Sequence, residues 1–460
     1  MKKLLLLSTL VVATAGSAQW NAVQIGTSST APLDDIIMLQ GRNDGLERIY
    51  AGSWGGTVEE WSWNGTSWSE TDILTGVYVG LLQVGGGDGR NDGVNRIYVG
   101  EHGASARLWE VTWNGTAWVP VLIATPGAIT SVMVGDGRGD GISRVYAGGG
   151  SGWGIKEYEW DGAAWITTTV SANYSESNGA VGDADNDGNT ELYINSNCEK
   201  FYEYAGSWVE AYVMGSCGTP VWTDANHIAE GRNDGNNRLY VTGEGLGKYE
   251  YTWTGSSWTA TPIATVMMQR GDIHVAALHA DDQQRVYGSN SYESWGGTTP
   301  AGPLEEFEWD GSAWVNLGTV MDATTGATGW MVAGTGRNDD TMRLYVPNML
   351  TDGIWEVTAP DPNYVGAGPG AIKEKVVPVE LNLFPNPAND VVVVEYEFAN
   401  NTTADLQITN VLGQVVTSLS ALPAKTKQVI GLSDLEAGVY FVQITAGGDR
   451  TVSERLVIRK

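Results

Sequence analysis

The sequence predicts an all-β fold: a seven-bladed β-propeller closed by its N-terminal strand. The first observation is a tyrosine that follows a charged and then an aliphatic residue. It recurs every 47 or 48 residues, apart from a last interval of 58. The second is that each unit holds an apolar run, an acidic turn and further alternating runs, the strand content of a four-stranded blade. We number the blades one to seven by these tyrosines, which are Tyr50, Tyr98, Tyr146, Tyr193, Tyr240, Tyr287 and Tyr345.

The third observation concerns closure of the ring. The seventh unit ends at "GIWEVTAPDP" and lacks both the tryptophan and the strand that follow the third turn of every other unit. A matching piece, "QWNAVQIG", stands near the N-terminus, where Trp20 precedes Tyr50 by the same interval that separates Trp68 from Tyr98. We expect this strand to become the outermost strand of blade seven, which would cover a sheet edge that could otherwise pair with other chains.

The amino-acid composition agrees with this fold and argues against one class of binding partner. The 460 residues include 61 Gly and 20 Trp against 5 Phe, as expected for tight turns and aromatic-packed blades. A charged fraction of 17% beside 42% hydrophobic residues argues against disorder. The formal net charge of −28 repels phosphate backbones and anionic lipid, so the sequence argues against nucleic acid as a partner.

The two ends carry different signals. Residues 1–18 have two lysines, an apolar run and small residues before Gln19, which predicts a secretory signal peptide. The apolar run is too short for a membrane span, and no later stretch reaches that length. The propeller is predicted over 19–358, followed by a Pro/Gly-rich linker over 359–380 and a separate β module over 381–460.

The C-terminal module closely resembles a known family. Its phrases "LNLFPNPANDVVVVEY", "ITNVLGQVV", "LEAGVYFVQI" and "VSERLVIRK" are similar to the type IX secretion system C-terminal sorting domain, type A. The resemblance implies a small Ig-like β-sandwich that engages the type IX machinery and directs export to the outer-membrane surface or the extracellular space of a Gram-negative bacterium. An ordinary adhesive sandwich is the alternative. The positions that match the family motif are Pro385, Asn386, Pro387, Gly413, Gly438 and Tyr440.

One acidic turn has the composition of a calcium loop. If each turn is numbered so that the tyrosine is position eleven, blade four places Asp183, Asp185 and Asp187 at positions one, three and five, with Glu191 at nine. Alternating carboxylates, a glycine at the bend and a late acid suit an oxygen-coordinated Ca²⁺. The loop resembles those of FG-GAP and VCBS-type propeller repeats, which implies one structural Ca²⁺. A plain turn without metal is the alternative.

The other six turns depart from this pattern together. Position five stays aspartate, position nine becomes arginine, and position three becomes arginine in five turns and His279 in the sixth. These cations would repel Ca²⁺, and a guanidinium can hold the retained aspartate by a bidentate pair. We therefore predict a single Ca²⁺ site, in blade four, with both cations of the other turns neutralising the position-five aspartate.

The sequence offers no catalytic constellation. Its four histidines, His102, His227, His274 and His279, are interpreted as scattered over different repeat positions without metal-ligand spacing. Cys198 and Cys217 both fall in blade four, where secretion makes a disulfide chemically reasonable and two buried thiols are the alternative. No catalytic residue is assigned.

Three tryptophans depart from the repeat and suggest a binding face. Trp54, Trp153 and Trp295 lie in loops between second and third strands, on the face opposite the acidic turns. Aromatic residues on loops of a rigid scaffold are typical of binding surfaces. The favoured function is a secreted or cell-surface, non-catalytic binding or adhesion module, lectin-like or specific for a surface protein. The alternative is an extracellular polysaccharide-acting enzyme with its site at the propeller funnel, and chance exposure would also explain the tryptophans.

Overall fold

The structure is a computed structural model, and it divides into two compact units, Met1–Gly366 and Ala367–Lys460. The predicted signal peptide, most of the predicted linker, both cysteines, Trp295 and Gly413 lie outside the described residues. Those described are 20–28, 32–77, 82–103, 105–150, 152–173, 179–194, 199–213, 222–244, 247–264, 271–289, 302–322, 330–348, 352–360, 380–397, 404–410, 414–422, 425–433, 435–446 and 450–460.

The described residues of the first unit form seven four-stranded antiparallel sheets. Blades one to six are each built from four consecutive strands, in the sheet orders β2–β5, β6–β9, β10–β13, β14–β17, β18–β21 and β22–β25. The strands are β1 (Asn21–Thr27), β2 (Leu33–Leu39), β3 (Arg48–Ser53), β4 (Val58–Trp63), β5 (Trp68–Leu74), β6 (Leu82–Gly87), β7 (Arg96–Glu101), β8 (Leu108–Trp113), β9 (Trp118–Ala124), β10 (Ile129–Gly135), β11 (Arg144–Gly149), β12 (Ile155–Trp160), β13 (Trp165–Ser171), β14 (Ala180–Gly182), β15 (Glu191–Ile194), β16 (Lys200–Tyr204), β17 (Trp208–Tyr212), β18 (Trp222–Ala229), β19 (Arg238–Glu244), β20 (Gly247–Trp253), β21 (Trp258–Ala264), β22 (Ile273–Ala276), β23 (Arg285–Gly288), β24 (Leu304–Trp309), β25 (Trp314–Met321), β26 (Val332–Gly334), β27 (Arg343–Asn348) and β28 (Gly353–Thr358).

The remaining sheet combines the two ends of this unit. Its strand order is β1-β28-β27-β26, and β1 pairs antiparallel with β28 from Asn21 opposite Thr358 to Thr27 opposite Gly353. The prediction that the N-terminal strand completes blade seven from the outside is therefore confirmed. The pairing leaves β1, rather than β28, as the outermost strand of this sheet.

Neighbouring blades are joined by aromatic contacts that run through the whole unit. Each repeat tyrosine is fully buried and meets, edge to face, the tryptophan that opens the last strand of the next blade. Trp20 takes this place against Tyr287, and Trp68 packs on Tyr345, so the series returns to its start. Ring centroids are 5.7–6.1 Å apart in the pairs Tyr50–Trp118, Tyr98–Trp165, Tyr146–Trp208, Tyr193–Trp258, Tyr240–Trp314, Tyr287–Trp20 and Tyr345–Trp68.

The acidic turns are also tied together by amide clamps. In blade two, the Asn91 side chain at position four donates to the Ser143 carbonyl and accepts from the Ser143 N–H of blade three, at 2.8 and 2.7 Å. Asn338 makes the same two bonds with Glu47, which joins blade seven to blade one. The five clamping residues have φ between 54° and 62°, a left-handed conformation that asparagine tolerates well. They are Asn43, Asn91, Asn186, Asn233 and Asn338.

The first strands of the blades line a channel. In cyclic order β2, β6, β10, β14, β18, β22 and β26 each contact the next, and β26 contacts β2. A cavity of about 280 Å³ is lined by residues of the other six sheets and by Trp330 and Met331, which directly precede β26. Radial four-stranded sheets around a central channel define a β-propeller. No helix among the described residues is long and apolar enough to cross a membrane.

The second unit is built from two antiparallel sheets. Their strand orders are β29-β30-β33 and β32-β31-β34-β35. Val392 and Val394 of the first sheet belong to one buried apolar cluster with Ile408 and Val442 of the second, as in a β-sandwich. The strands are β29 (Glu380–Phe384), β30 (Val391–Glu397), β31 (Ala404–Asn410), β32 (Val415–Leu422), β33 (Lys425–Gly431), β34 (Gly438–Ala446) and β35 (Arg450–Ile458).

Candidate functional site

Six of the acidic turns are held by a bidentate ion pair within the turn. In blade two, Arg96 at position nine donates from Nη1 and Nη2 to the two carboxylate oxygens of Asp92 at position five, at 2.8 and 2.7 Å. This hydrogen bonding holds the pKa of Asp92 below its ordinary value. The predicted pairing of positions five and nine is present in each case: Asp44–Arg48, Asp92–Arg96, Asp140–Arg144, Asp234–Arg238, Asp281–Arg285 and Asp339–Arg343.

The prediction for position three was wrong about the partner. Arg90 donates from Nε and Nη2 to Glu110 on the third strand, at 2.7 and 2.6 Å, rather than to the turn aspartate. Glu110 is 1% exposed, and a carboxylate buried that deeply is costly unless it is paired. The nearest guanidinium is therefore drawn to it. The equivalent pairs are Arg42–Glu60, Arg138–Glu157, Arg232–Glu250, His279–Glu306 and Arg337–Glu356.

The same arginines cross to the next blade. The Arg90 guanidinium lies 3.8 Å from the ring centre of Trp160 in blade three, and the Arg337 guanidinium lies 4.3 Å from that of Trp63 in blade one. Each position-three arginine thus joins a buried glutamate of its own blade to an aromatic ring of its neighbour. Sequence reasoning missed these glutamates, although "E-x-x-W" in five of the third strands was a usable signal.

Blade four replaces this network with carboxylates. Asp185 stands where five other blades have an arginine, Glu191 stands where six do, and Phe201 occupies the place of the buried glutamate. Phe201 stacks on Tyr193 at 5.9 Å, and the Tyr193 hydroxyl donates to Glu191 at 3.0 Å instead of to a third-strand acid. In blade four, the two cationic positions of the turn and the buried glutamate position of the third strand therefore all carry different residues.

The turn of blade four brings three predicted ligands into one group. Asp183, Asp185 and Asp187 each offer a carboxylate oxygen within 4.8 Å of the others. The loop backbone orients them, because the N–H groups of Asp187 and Gly188 donate to the two Asp183 oxygens at 3.1 and 3.0 Å. Glu191, the fourth predicted ligand, lies outside this close group.

The electrostatics of the blade-four turn favour a cation. Burial, with the nearby charge of Asp185 second, raises the pKa of Glu191 to about 8. Burial and the charges of Asp187 and Asp183 raise the pKa of Asp185 to about 6. No cationic side chain in the described part of the chain forms an ion pair with these four acids. A hard divalent cation with oxygen ligands fits this set.

The face opposite the acidic turns carries two of the three predicted binding tryptophans. Trp153 is 40% exposed and lies across Gly127 and Gly149, where a Cβ would stand 2.2 and 2.7 Å from the tryptophan side chain. Trp54 is half-buried in the corresponding loop of blade one. The two indoles belong to loops of different blades, and neither of them lines the central cavity.

The interpretation of the histidines needs correction. His227 and His274 each pair with the repeat tyrosine of their own blade, so they occupy the same repeat position in blades five and six. Their ring centroids are 4.2 Å apart in the wall of the central cavity. The equal spacing of these histidines from Tyr240 and Tyr287 would have shown the relation in the sequence.

In the C-terminal unit, the side chain of Asn386, one of the positions predicted from the family motif, connects the beginning of the module to its last strand. Its side chain donates to the Arg455 carbonyl at 2.6 Å and accepts from the Val457 N–H at 2.9 Å. The Tyr440 hydroxyl donates to the Glu436 carbonyl at 3.0 Å, and Gly438 begins β34. Pro385 and Pro387 flank Asn386, so three adjacent motif positions form one bend against β35.

Comparison with known families assigns this unit. Residues 382–459 match the family described as secretion system C-terminal sorting domain. The match indicates export through type IX secretion to the cell surface or extracellular space of a Gram-negative bacterium. No curated protein matches the sequence.

Solved structures with a similar fold are distant in sequence. PorZ, a bacterial surface component of the type IX secretion system of Porphyromonas gingivalis, is 14% identical with a TM-score of 0.45 over 92% of this chain. The chain spans 59% of PorZ. BBS1N in complex with ARL6DN is 12% identical with a TM-score of 0.48, covering 75% of this chain and 98% of its own. AofleA from Arthrobotrys oligospora is 11% identical with a TM-score of 0.40, covering 65% and 88%.

Proposed function

We propose that the protein is an exported, non-catalytic binding propeller that acts at the cell surface or in the surrounding medium. The observation that carries the proposal is the combination of an export module with a rigid ring that presents the half-exposed indole of Trp153 on one face. Its partners are the type IX machinery during export and a glycan or surface protein afterwards. Aromatic rings on loops of a stiff scaffold lose little entropy on binding such ligands.

A single Ca²⁺ in blade four is part of this proposal. The ion would be held by Asp183, Asp185 and Asp187, with the buried Glu191 supplying further negative charge, and it would replace the arginines of the other blades. Its role would be to hold the turn and the seam towards blade five, where Asp185 cannot stack on an aromatic ring as Arg90 does. Calcium is available outside the cell, where the exported ring would work.

A binding screen tests the proposed function. The full chain without its signal peptide, with Ca²⁺ present, would be applied to a glycan array and to extracted surface proteins. The same preparation would be assayed for hydrolase and lyase activity on polysaccharides. Saturable binding without turnover is expected. Turnover of a polysaccharide would instead favour the alternative of an enzyme with its site in the funnel.

A second measurement addresses the exposed indoles. Trp153→Ala should weaken array binding if the loops contribute, while Trp63→Phe, in a hairpin on the other face, serves as the matched aromatic control. Equal loss in both variants would indicate a general effect on the fold rather than a contact with ligand.

A further inference from the structure

Apart from Asp35 of blade one, the polar side chains that line the channel wall lie in two neighbouring blades. Asn226 and His227 of blade five and Asp272 and His274 of blade six line the cavity, whereas the walls from blades two and three are largely aliphatic, with Val84 among them. A cavity with one polar and one apolar wall suits a ligand with the same division. This feature rests on none of the residues assigned above to calcium or to the loop tryptophans.

Both imidazoles have one nitrogen already engaged. His227 Nδ1 accepts the Val275 N–H of blade six at 3.2 Å, and His274 Nε2 accepts the Ala333 N–H of blade seven at 3.3 Å. A neutral imidazole that accepts on one nitrogen carries its proton on the other. The tautomers are therefore set, and each ring offers one N–H donor, from Nε2 of His227 and from Nδ1 of His274.

Both histidines stay uncharged under ordinary conditions. Burial lowers the pKa of His227 to about 4, and burial together with the neighbouring His227 lowers the pKa of His274 well below its ordinary value. Within the described residues neither remaining N–H has a hydrogen-bond partner. The pair is therefore a set of neutral donors.

The charge of the ligand follows from the same wall. Asp35 also lines the cavity, and the chain carries a net charge of −28, so anions are repelled. Burial raises the pKa of Asp272, in the same wall, to about 7, so this carboxyl adds less negative charge. Cations are disfavoured by the two N–H donors. An uncharged molecule that bears hydroxyl or carbonyl oxygens on one side and C–H groups on the other meets both walls.

This cluster lies towards the channel end that is on the same side as the predicted binding face. In blade six, His274 lies opposite Tyr287 and Ile273 opposite Gly288, one residue before the loop that follows β23. That loop is the counterpart of the loops with Trp54 and Trp153. Trp330 lines the same region of the cavity and provides an aromatic ring beside the polar wall.

Resting on the proposed binding function, we infer that the wall of the central cavity at blades five to seven is the ligand site and takes a single uncharged sugar ring through His227 and His274. The cavity of about 280 Å³ is at the small end of ligand sites, which are roughly 300–1,000 Å³. It therefore accepts one ring, free or at the end of a chain, rather than an internal stretch of polysaccharide.

The test uses the full chain with Ca²⁺ and a panel of methyl glycosides, with sugar acids and amino sugars as charged counterparts. Imidazole ¹⁵N shifts are recorded in the unaltered protein during titration. We expect an uncharged glycoside to shift the protonated nitrogens of His227 and His274, and the charged counterparts to bind at least about tenfold more weakly. Oligosaccharides that end in the same sugar distinguish a chain end from the free sugar.

Variants then locate the site. His274→Phe should weaken binding by about tenfold, the value of one hydrogen bond. His102→Phe makes the same chemical change at a histidine that does not line the cavity, and it should leave affinity unchanged. Because His274→Phe also removes the acceptor of the Ala333 N–H, the unaltered chain's ¹⁵N shifts provide the measurement that does not depend on folding of a variant.

Two outcomes would overturn the inference while leaving the proposed function standing. One is glycan binding that moves no imidazole signal and is lost in Trp153→Ala. The other is saturable binding of a protein or a charged ligand with no response to uncharged sugars. A chain that binds nothing on the array or among surface proteins would contradict the proposed function as well.

Discussion

Removal of Ca²⁺ should cost the propeller a measurable part of its stability, and the cost can be traced to Glu191. This carboxylate is 2% exposed, and its pKa in the folded chain is about 8 against an ordinary 4.5. Without a cation, the folded form therefore holds a proton that the unfolded chain releases at pH 7. The difference of 2.5 pH units between 4.5 and 7 corresponds to about 3 kcal/mol.

Because the pKa of Glu191 is raised in the folded chain, the stability of the calcium-free protein depends on pH. The penalty is absent below the unfolded pKa of about 4.5 and grows as pH rises towards the folded pKa of about 8. A bound cation removes it. The gap in melting temperature between calcium-loaded and chelated protein should thus widen from pH 5 to pH 8, reaching roughly 5 °C at pH 7 for a domain of this size. Differential scanning calorimetry with and without chelator measures it.

The residues found at these positions in the other blades suggest a variant that tests the calcium site directly. Changing Asp185→Arg, Glu191→Arg and Phe201→Glu together would install in blade four the ion-pair network of its neighbours. We expect this triple variant to melt at the same temperature with and without Ca²⁺. Asp92→Ala, in blade two, serves as the control and should lower stability without changing the calcium effect.

Titration calorimetry gives the stoichiometry, which should be a single Ca²⁺ per chain. One ion for every acidic turn would refute the assignment of the arginines as cation substitutes. No binding at all, or a chelator effect that survives in the triple variant, would refute the blade-four site itself.

Three further predictions concern the ring and the export module. Deleting Gln19–Gly26 removes Trp20 from Tyr287 and most of β1, so it should lower stability by about 2 kcal/mol or more or cause aggregation; an unchanged melting curve would contradict closure by this strand. Gly139→Asn should raise the free energy of unfolding by about 0.5–1 kcal/mol, because asparagine could form the clamp found in five other turns. The site accepts a side chain: Gly139 has a φ of 65°, and the nearest heavy atom to an added Cβ would be the Thr190 backbone nitrogen, at 3.6 Å. A lower melting temperature would show that the clamp does not form. A chain ending near Ala359 should fold normally but accumulate in the periplasm of a host with type IX secretion, whereas normal surface delivery of that form would show that the module is dispensable.

The sequence determined the repeat and its local chemistry. Tyrosine spacing predicted the strands, and the truncated last unit pointed to Trp20, because a blade that lacks one strand leaves an exposed sheet edge. The pairing of Asp92 with Arg96 was also predictable, since residues four apart in one tight turn have few other partners. The sorting module was recognised from contiguous phrases, and the family comparison bears this out for residues 382–459.

Contacts between blades were decided only by the tertiary structure. Arg90 reaches Glu110 on another strand and Trp160 on another blade, and a turn motif alone does not reveal such partners. His227 and His274 are nearly fifty residues apart in the chain, yet ring closure brings equal repeat positions of adjacent blades into contact. The physical reason is that side chains on an inner strand face the neighbouring blades, so their partners are set by packing around the ring rather than by distance along the chain.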